Sequence, residues 1–241
     1  MQKKSTNPQR HLARAPRQVR IIGGQWKRTP LPVAIAEGLR PTPDRVRETV
    51  FNWLTHLFDN RWDGVACLDL FAGSGALGFE AASRGAARVV LVESHAGAVR
   101  NLEATREKLD ATTVTVLRGD APLLTQGLIA RGGAAQFDLI FLDPPYHQDW
   151  LPKLLPLCRQ LLRPGGLVYV EAERGLFEKT PDAGVEVAEK RSKENASAVP
   201  AGASTTGADT WLEGWNAVRA DRAGMVFYHL LQCGNSHLFE A

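Results

Sequence analysis

VACLDLFAGSGALGFEAASRGAARVVLVES, residues 65–94, is strand, glycine turn, helix and strand in succession. VACLDLFAG (65–73) is a compact apolar run ending in glycine, and GALGFEAASRG is a helical pattern closed by Gly85. ARVVLVES (87–94) is a second apolar strand ending in an acid. Strands apolar along their whole length belong to sheets covered on both faces, and joining two of them through a helix makes a parallel βαβ unit. Downstream the alternation continues. HAGAVRNLEATREKL predicts a helix, TVTVLRGD (113–120) a third strand and APLLTQGLIARGG a third helix. FDLIFLDPPY (137–146) follows as a fourth strand running into a proline pair. DWLPKLLPLCRQLLRPGG is a helix with a Pro-Gly-Gly stop, and LVYVEAE (167–173) is a fifth strand. The expected fold is α/β, a mostly parallel sheet with helices on both faces.

Toward the C-terminus, VEVAEKRS (185–192) and AGMVFYHLLQ (223–232) read as an antiparallel hairpin. The Ala-, Gly-, Ser- and Thr-rich segment between them, about 193–222, reads as a low-complexity insertion or long loop. On the N-terminal side, VRIIGGQWKRTPLPV (19–33) predicts two short strands around a Gly23-Gly24 turn. GLRPTPDRVRETVFNWLTHL then supplies a loop and a helix. Thr42 or Asp44 is its N-cap, and Val46, Val50, Phe51, Leu54 and Leu57 recur at helical spacing. The chain therefore divides into a disordered basic tail (1–18), a basic hairpin and helix (19–60) and an α/β body (61–241).

A length of 241 residues with 44% apolar and 23% charged residues suits one large globular domain with appendages. No run reaches the roughly 18–20 apolar residues of a membrane span, and the basic N-terminus has no apolar segment behind it. Cys67, Cys158 and Cys233 lie far apart without CxxC spacing, which gives neither a disulfide framework nor a zinc site. The six histidines show no ligand spacing, so no metal is expected. A soluble, reduced, cytoplasmic protein is the expectation. Charge is unevenly spread. Residues 1–47 carry eleven Lys or Arg against Glu37 and Asp44, +9, which leaves −6 for the rest of a chain whose formal charge is +3. A cationic end on an acidic body fits a polyanionic partner; for residues 1–18 alone a solubilising tail fits as well.

Asp69-Leu-Phe-Ala-Gly73-Ser-Gly75-Ala-Leu-Gly78 lets the backbone turn sharply and approach a ligand at a helix N-terminus. The glycines match GxGxxG, which would also fit a nicotinamide dinucleotide. Asp69 sits just ahead of them, where it can face a cationic amino group, and no hydride-transfer centre follows; both argue against a dinucleotide. Glu93 ends the second strand about twenty residues on, where a carboxylate can accept both ribose hydroxyls. Asp120 ends the third strand, within reach of an adenine amino group. Acids ending three successive strands are more than scattered solvated caps, because ligands bind at those ends in open α/β sheets.

Asp143-Pro144-Pro145-Tyr146 ends the fourth strand. Two prolines fix their backbone angles and lack N–H groups, so the local carbonyls stay free as rigid acceptors. An acid, a fixed carbonyl and an aromatic ring make a pocket for a planar base with an exocyclic amine. The acid and the carbonyl each accept one N–H, the ring stacks, and the nitrogen lone pair is drawn out toward an electrophile.

DLFAGSGALG, the strand-ending Glu93, Gly119-Asp120 and FLDPPY together resemble the class I S-adenosylmethionine-dependent methyltransferases of exocyclic base amines. With RIIGGQWKRTPLPV and GLRPTPDRVRETVFNWL upstream, the chain is similar to the RsmD family of bacterial rRNA guanine-N2 methyltransferases. The resemblance covers roughly residues 19–190 and 223–232; the tail 1–18 and the insertion at about 193–222 depart from it. It implies a seven-stranded Rossmann-like sheet with a C-terminal antiparallel hairpin. It implies S-adenosyl-L-methionine as cofactor, with Asp69, Phe71, Ala72, Gly73, Ser74 and Gly75 at its methionine end, Glu93 and Ser94 at its ribose, and Asp120 and Ala121 at its adenine. Asp143, Pro144, Pro145 and Tyr146 would receive the flipped base and carry catalysis. The substrate implied is N2 of one guanine of 16S rRNA, guanine 966, in the assembled or assembling small ribosomal subunit, with the enzyme a monomer away from membranes. An adenine-N6 methyltransferase of DNA and a non-catalytic nucleic-acid scaffold are the alternatives. Arg20, Lys27, Arg28, Arg40, Arg45 and Arg47 are candidate phosphate contacts. Trp26 either stacks on a base or packs in the core.

Overall fold

The computed structural model describes residues 18–34, 42–132, 135–177 and 210–234. Two short strands come first, β1 (Gln18–Arg20) and β2 (Pro30–Pro32), then helix α1 (Asp44–Leu57). The alternation follows as β3 (Ala66–Asp69), α2 (Ala76–Ser83), β4 (Arg88–Glu93), α3 (Ala96–Lys108), β5 (Val114–Arg118) and α4 (Ala121–Ala130). It continues through β6 (Phe137–Leu142), α5 (Trp150–Leu161) and β7 (Leu162–Ala172). After a 3-10 turn at Thr210–Leu212 come β8 (Trp215–Ala223) and β9 (Val226–Cys233). Strands β3 to β9 form one sheet in the order β5-β4-β3-β6-β7-β9-β8, parallel except for β9, which runs antiparallel to both neighbours. This is the class I methyltransferase sheet.

Alternate residues of each central strand face opposite layers, which is why those strands are apolar throughout. Cys67, Leu91, Phe141 and Tyr169 pack with Phe51 and Leu54 of α1, Phe79 of α2 and Leu102 of α3. Leu68, Val92, Ile140 and Val170, from the other face, pack with Leu154, Leu155, Cys158 and Leu161 of α5. The first layer also holds Val19, Ile21 and Leu31. The N-terminal block thus shares the core of the α/β body instead of forming a unit of its own. It is seated through Glu80 of α2, whose buried carboxylate accepts the Ile22 N–H at 2.6 Å and the Gly23 N–H at 2.8 Å. Gly24 follows at φ +73°, and a Cβ there would lie 1.9 Å from the Ser83 carbonyl oxygen. Only glycine fits that turn. The loop runs well past the glycines before β1 pairs antiparallel with β2, a wider connection than a tight turn at Gly23-Gly24.

Several expectations need correction. Helix α1 starts at Asp44 with Pro43 at its N-cap and no side-chain cap, so neither Thr42 nor Asp44 caps it. The strand paired with β9 is β8, inside the supposed insertion; residues 185–192 lie outside the described residues, as do residues 1–17 and the first part of that insertion. Trp215 is buried at the start of β8, whereas most of the rest of this edge strand faces solvent, which hid it in a polar stretch. Pro164-Gly165-Gly166 does not stand outside the sheet either. It lies within β7, where the pairing with β6 shifts register. Among the described residues no helix is long and apolar enough to cross a membrane.

Candidate active site

Strand order reverses between β3 and β6, which are adjacent although far apart in sequence. In open α/β sheets the crevice at that reversal, outside the carboxyl ends of the strands, is where ligands bind. Asp69 and Asp143 come from the ends of these two strands.

Asp69 is buried, and its Oδ2 accepts the Gly78 N–H at 3.2 Å from the first turn of α2. Its Oδ1 is buried with no hydrogen-bond partner. Burial pushes this carboxyl up to about 7; the Gly78 and Phe71 amides oppose that rise and the Glu93 charge adds to it. An unpaired buried carboxylate oxygen is costly and suits a ligand that brings N–H donors and positive charge. The loop from Phe71 to Gly75 carries the chain into α2 through Gly75, left-handed at φ +78° and at the N-cap, where an added Cβ would collide with Phe79 and Leu102. Ala72, Gly73 and Gly75 are buried, Phe71 and Ser74 partly exposed.

Glu93 ends β4 and ties down this loop. Its Oε2 accepts the Gly73 N–H at 2.8 Å and its Oε1 the His95 N–H at 2.7 Å. Each carboxylate oxygen has a second lone pair, so the same group can still accept ligand hydroxyls. Ser94 beside it is exposed. Asp120 is exposed beyond β5 and caps α4 by accepting the Leu123 N–H at 3.2 Å, with Ala121 buried behind it. The three expected acids therefore stand at the ends of β3, β4 and β5, next to one another in the sheet.

Asp143, partly exposed, follows β6, with Pro144 buried, Pro145 exposed and Tyr146 half-buried. The Thr42 hydroxyl lies 3.1 Å from Asp143 Oδ2 and 2.6 Å from Glu171 Oε1. Glu171 is buried near the end of β7, and the Tyr169 hydroxyl donates to the same Oε1 at 2.8 Å. Asp143 is raised well above the usual carboxylate range, first by desolvation and then by the Glu171 charge. Glu171 is raised as well, by its burial. Beyond the prolines, Glu173 holds His147 by its backbone N–H and its ring Nδ1, which fixes the far side of the tyrosine loop. Chemically, this half of the crevice offers a carboxyl, proline carbonyls and a ring beside a loop poised for a cationic, hydroxyl-bearing ligand.

Thr42 and Glu171 were missed from sequence. Thr42 has the sequence pattern of a helix cap; the signal for Glu171 is a lone acid in the apolar run Leu-Val-Tyr-Val-Glu. Among the basic candidates, Arg20, Lys27, Arg28 and Arg45 are exposed, and Arg20 is paired with Asp44 at 2.8 Å. Arg40 lies outside the described residues. Arg47 is a correction. It is fully buried, bonded to the Arg20 carbonyl at 2.9 Å and to Asp44 at 2.7 Å, so it cannot meet a phosphate. It sits on the same helical face as Val50, Phe51 and Leu54, a spacing that marks it as inward-facing. Trp26 packs against the core and donates its backbone N–H to Ser83 Oγ. No cluster of three or more His, Cys, Asp or Glu able to hold a metal occurs among the described residues.

A family profile described as Conserved hypothetical protein 95 matches residues 19–201. The chain is 40% identical over 158 residues to Ribosomal RNA small subunit methyltransferase D of Escherichia coli K12, covering 65% of this chain and 75% of that one. It is 39% identical over 171 residues to the Haemophilus influenzae protein of the same name, covering 68% and 84%. It is also similar to the solved structure of yhhF from Escherichia coli. That match has a TM-score of 0.64 and 35% identity, over 90% of this chain and 98% of the other.

Proposed function

The chain belongs to the RsmD family of rRNA methyltransferases, and from that premise we propose that it methylates the exocyclic N2 of one guanine of 16S rRNA, guanine 966, in the small ribosomal subunit, working as a monomer. The observation that carries this reading is the pairing across the β3–β6 reversal of a glycine loop bearing an orphaned acid with Asp143-Pro144-Pro145-Tyr146. The cofactor is S-adenosyl-L-methionine. Asp69 Oδ1, buried and unpartnered, would take its ammonium group, Glu93 its ribose hydroxyls and Asp120 its adenine, with Phe71, Ala72, Gly73, Ser74, Gly75, Ser94 and Ala121 around them. When bound, it supplies a sulfonium whose methyl group is the electrophile.

The chain's own residues then do three things. The Asp143 carboxylate and the Pro144 carbonyl accept the two N–H bonds of the base amine, which turns its lone pair away from the ring and toward the cofactor side. The Tyr146 ring stacks on the extruded base; extrusion costs a few kcal/mol, offset by stacking and edge hydrogen bonds. Asp143 is the base that receives the proton the amine must lose on alkylation. Most of the acceleration comes from holding the amine in line with the electrophile. Arg20, Lys27, Arg28 and Arg45 would hold the RNA by its phosphates, which orients the substrate without reading its sequence.

The test is transfer of label from S-adenosyl-L-methionine to small subunits lacking the modification, beside naked 16S rRNA and duplex DNA, followed by nucleoside analysis. Label in N2-methylguanosine from the subunits is expected. Label only in N6-methyladenine of DNA would replace the substrate, and no label with cofactor still bound would mean a scaffold.

A further inference from the structure

A threonine hydroxyl has one proton to give. Thr42 Oγ is within hydrogen-bond distance of two carboxyl oxygens, Glu171 Oε1 and Asp143 Oδ2, at 2.6 and 3.1 Å. It can donate to only one of them. The other contact is a hydrogen bond only if that carboxyl carries a proton and donates it to Oγ. Two ionised carboxylates on one hydroxyl would leave one pair of oxygens facing each other without a hydrogen, in a place where burial already disfavours charge. The groups packed around the pair do not relieve this. Tyr169, on β7, donates to Glu171, and Tyr228 stands opposite Glu171 on β9 with its hydroxyl turned to Asp221 at 2.9 Å. Asp69, from β3, adds a further negative charge beside Asp143.

We propose that Asp143 and Glu171 hold one proton between them through Thr42 Oγ, which makes Glu171 and Thr42 positioning residues that set the charge of the amine-accepting carboxyl. This rests on the role given to Asp143 above. Glu171 accepts from both Thr42 and Tyr169, so in the free protein the shared proton sits on Asp143: Oδ2–H donates to Oγ, and Oγ–H donates to Glu171 Oε1. Shifting each proton one place along that chain leaves Asp143 ionised and Glu171 neutral with no change in total charge. An amine docking on Asp143 draws the pair into that state. The proton shed by the alkylated amine then passes to Asp143, and the pair, holding two, returns one to water.

The sign of the pH effect follows. The competent form is the pair holding one proton, so kcat/KM falls at acid pH where the pair takes up a second proton and Asp143 can no longer ionise. Glu171 supplies the other place for the first proton and so holds that limb down; in Glu171→Gln a lone carboxyl in a desolvated site remains, and the acid limb should move to higher pH by about one unit or more. Thr42→Val should displace the limb as well, and Thr42→Ser should restore it, which a merely structural role for either residue would not do. A second readout needs no turnover. In infrared difference spectra of the protein alone at mildly alkaline pH, the C=O stretch of a protonated carboxylic acid should be lost equally in Glu171→Gln and in Asp143→Asn, any Asp69 signal cancelling. An unmoved acid limb in Glu171→Gln, or a carboxylic-acid band that persists in it, overturns the proposal. A wild-type protein that transfers no methyl group to any acceptor overturns the proposed function instead, and the infrared result still decides whether the proton is shared.

Discussion

The acids at the ends of β3, β4 and β5 are engaged by backbone amides of the adjoining loops and first helical turns, whereas those after β6 and in β7 are held by side-chain hydroxyls. The two halves of one crevice are thus built by different means. In the first, a carboxylate and the N–H it accepts lie 2 to 20 residues apart, so a short segment carries both partners. In the second, Thr42 meets Asp143 across 101 residues and Glu171 across 129. The first half is a local device that any chain with the right loop can form. The second exists only once the N-terminal block is seated on the sheet, so its chemistry depends on a docking that Glu80, Gly24 and Arg47 secure.

This dependence can be broken from the N-terminal side, and the largest effect should come from Arg47→Ala. It removes a fully buried guanidinium that bonds the Arg20 carbonyl and Asp44. Breaking a fully buried ion pair costs about 3–5 kcal/mol, and Asp44 keeps some solvent, so about 2–3 kcal/mol is expected. That should lower the melting temperature by roughly 5–10 °C, readable by calorimetry. Transfer should fall in step with the folded fraction, and cofactor affinity of what remains folded should change little.

Next comes the cofactor half. Asp69→Asn removes the charge that would meet the cofactor ammonium. A hydrogen bond between charged groups contributes about 1.5–3 kcal/mol, so binding should weaken roughly ten- to a hundredfold by calorimetry. In the unmodified protein Asp69 is pushed up to about 7, above its ordinary value. A ligand that needs the carboxylate must displace its proton below that pH, so affinity should rise with pH through about 7 and then level off. Asp69→Asn should flatten that dependence. A pH-independent affinity in the unmodified protein would separate Asp69 from the ammonium.

The smallest effect belongs to the exposed cations. Arg45→Glu should weaken binding to 16S rRNA several-fold and reduce the slope of log K against log salt by about 1–2. The melting temperature should stay put, the reverse of what Arg47→Ala does two residues along the same helix.

The same division explains what was legible in the sequence. Strand–helix alternation, the glycine loop, and the acids Asp69, Glu93 and Asp120 are local signals, and each stands where the pattern put it. Asp143-Pro144-Pro145-Tyr146 was legible as a motif, but its partners were not, because no local pattern joins Thr42 to Glu171. For Arg47 the charge points outward, while the spacing with Val50, Phe51 and Leu54 is the better guide. β8 hides in the sequence because an edge strand with its charged residues in solvent has the composition of a loop.

The crevice has two separable halves, one that binds and one that reacts. Asp143→Ala tests it most directly, by titrating S-adenosyl-L-methionine into the variant and measuring transfer to small subunits on the same preparation. Cofactor affinity should stay within about twofold of the unmodified protein, and transfer should fall by a factor on the order of a hundred to a thousand or more. A loss of cofactor affinity large enough to explain the lost transfer would contradict it, because Asp143 would then belong to the cofactor and the two halves would be one.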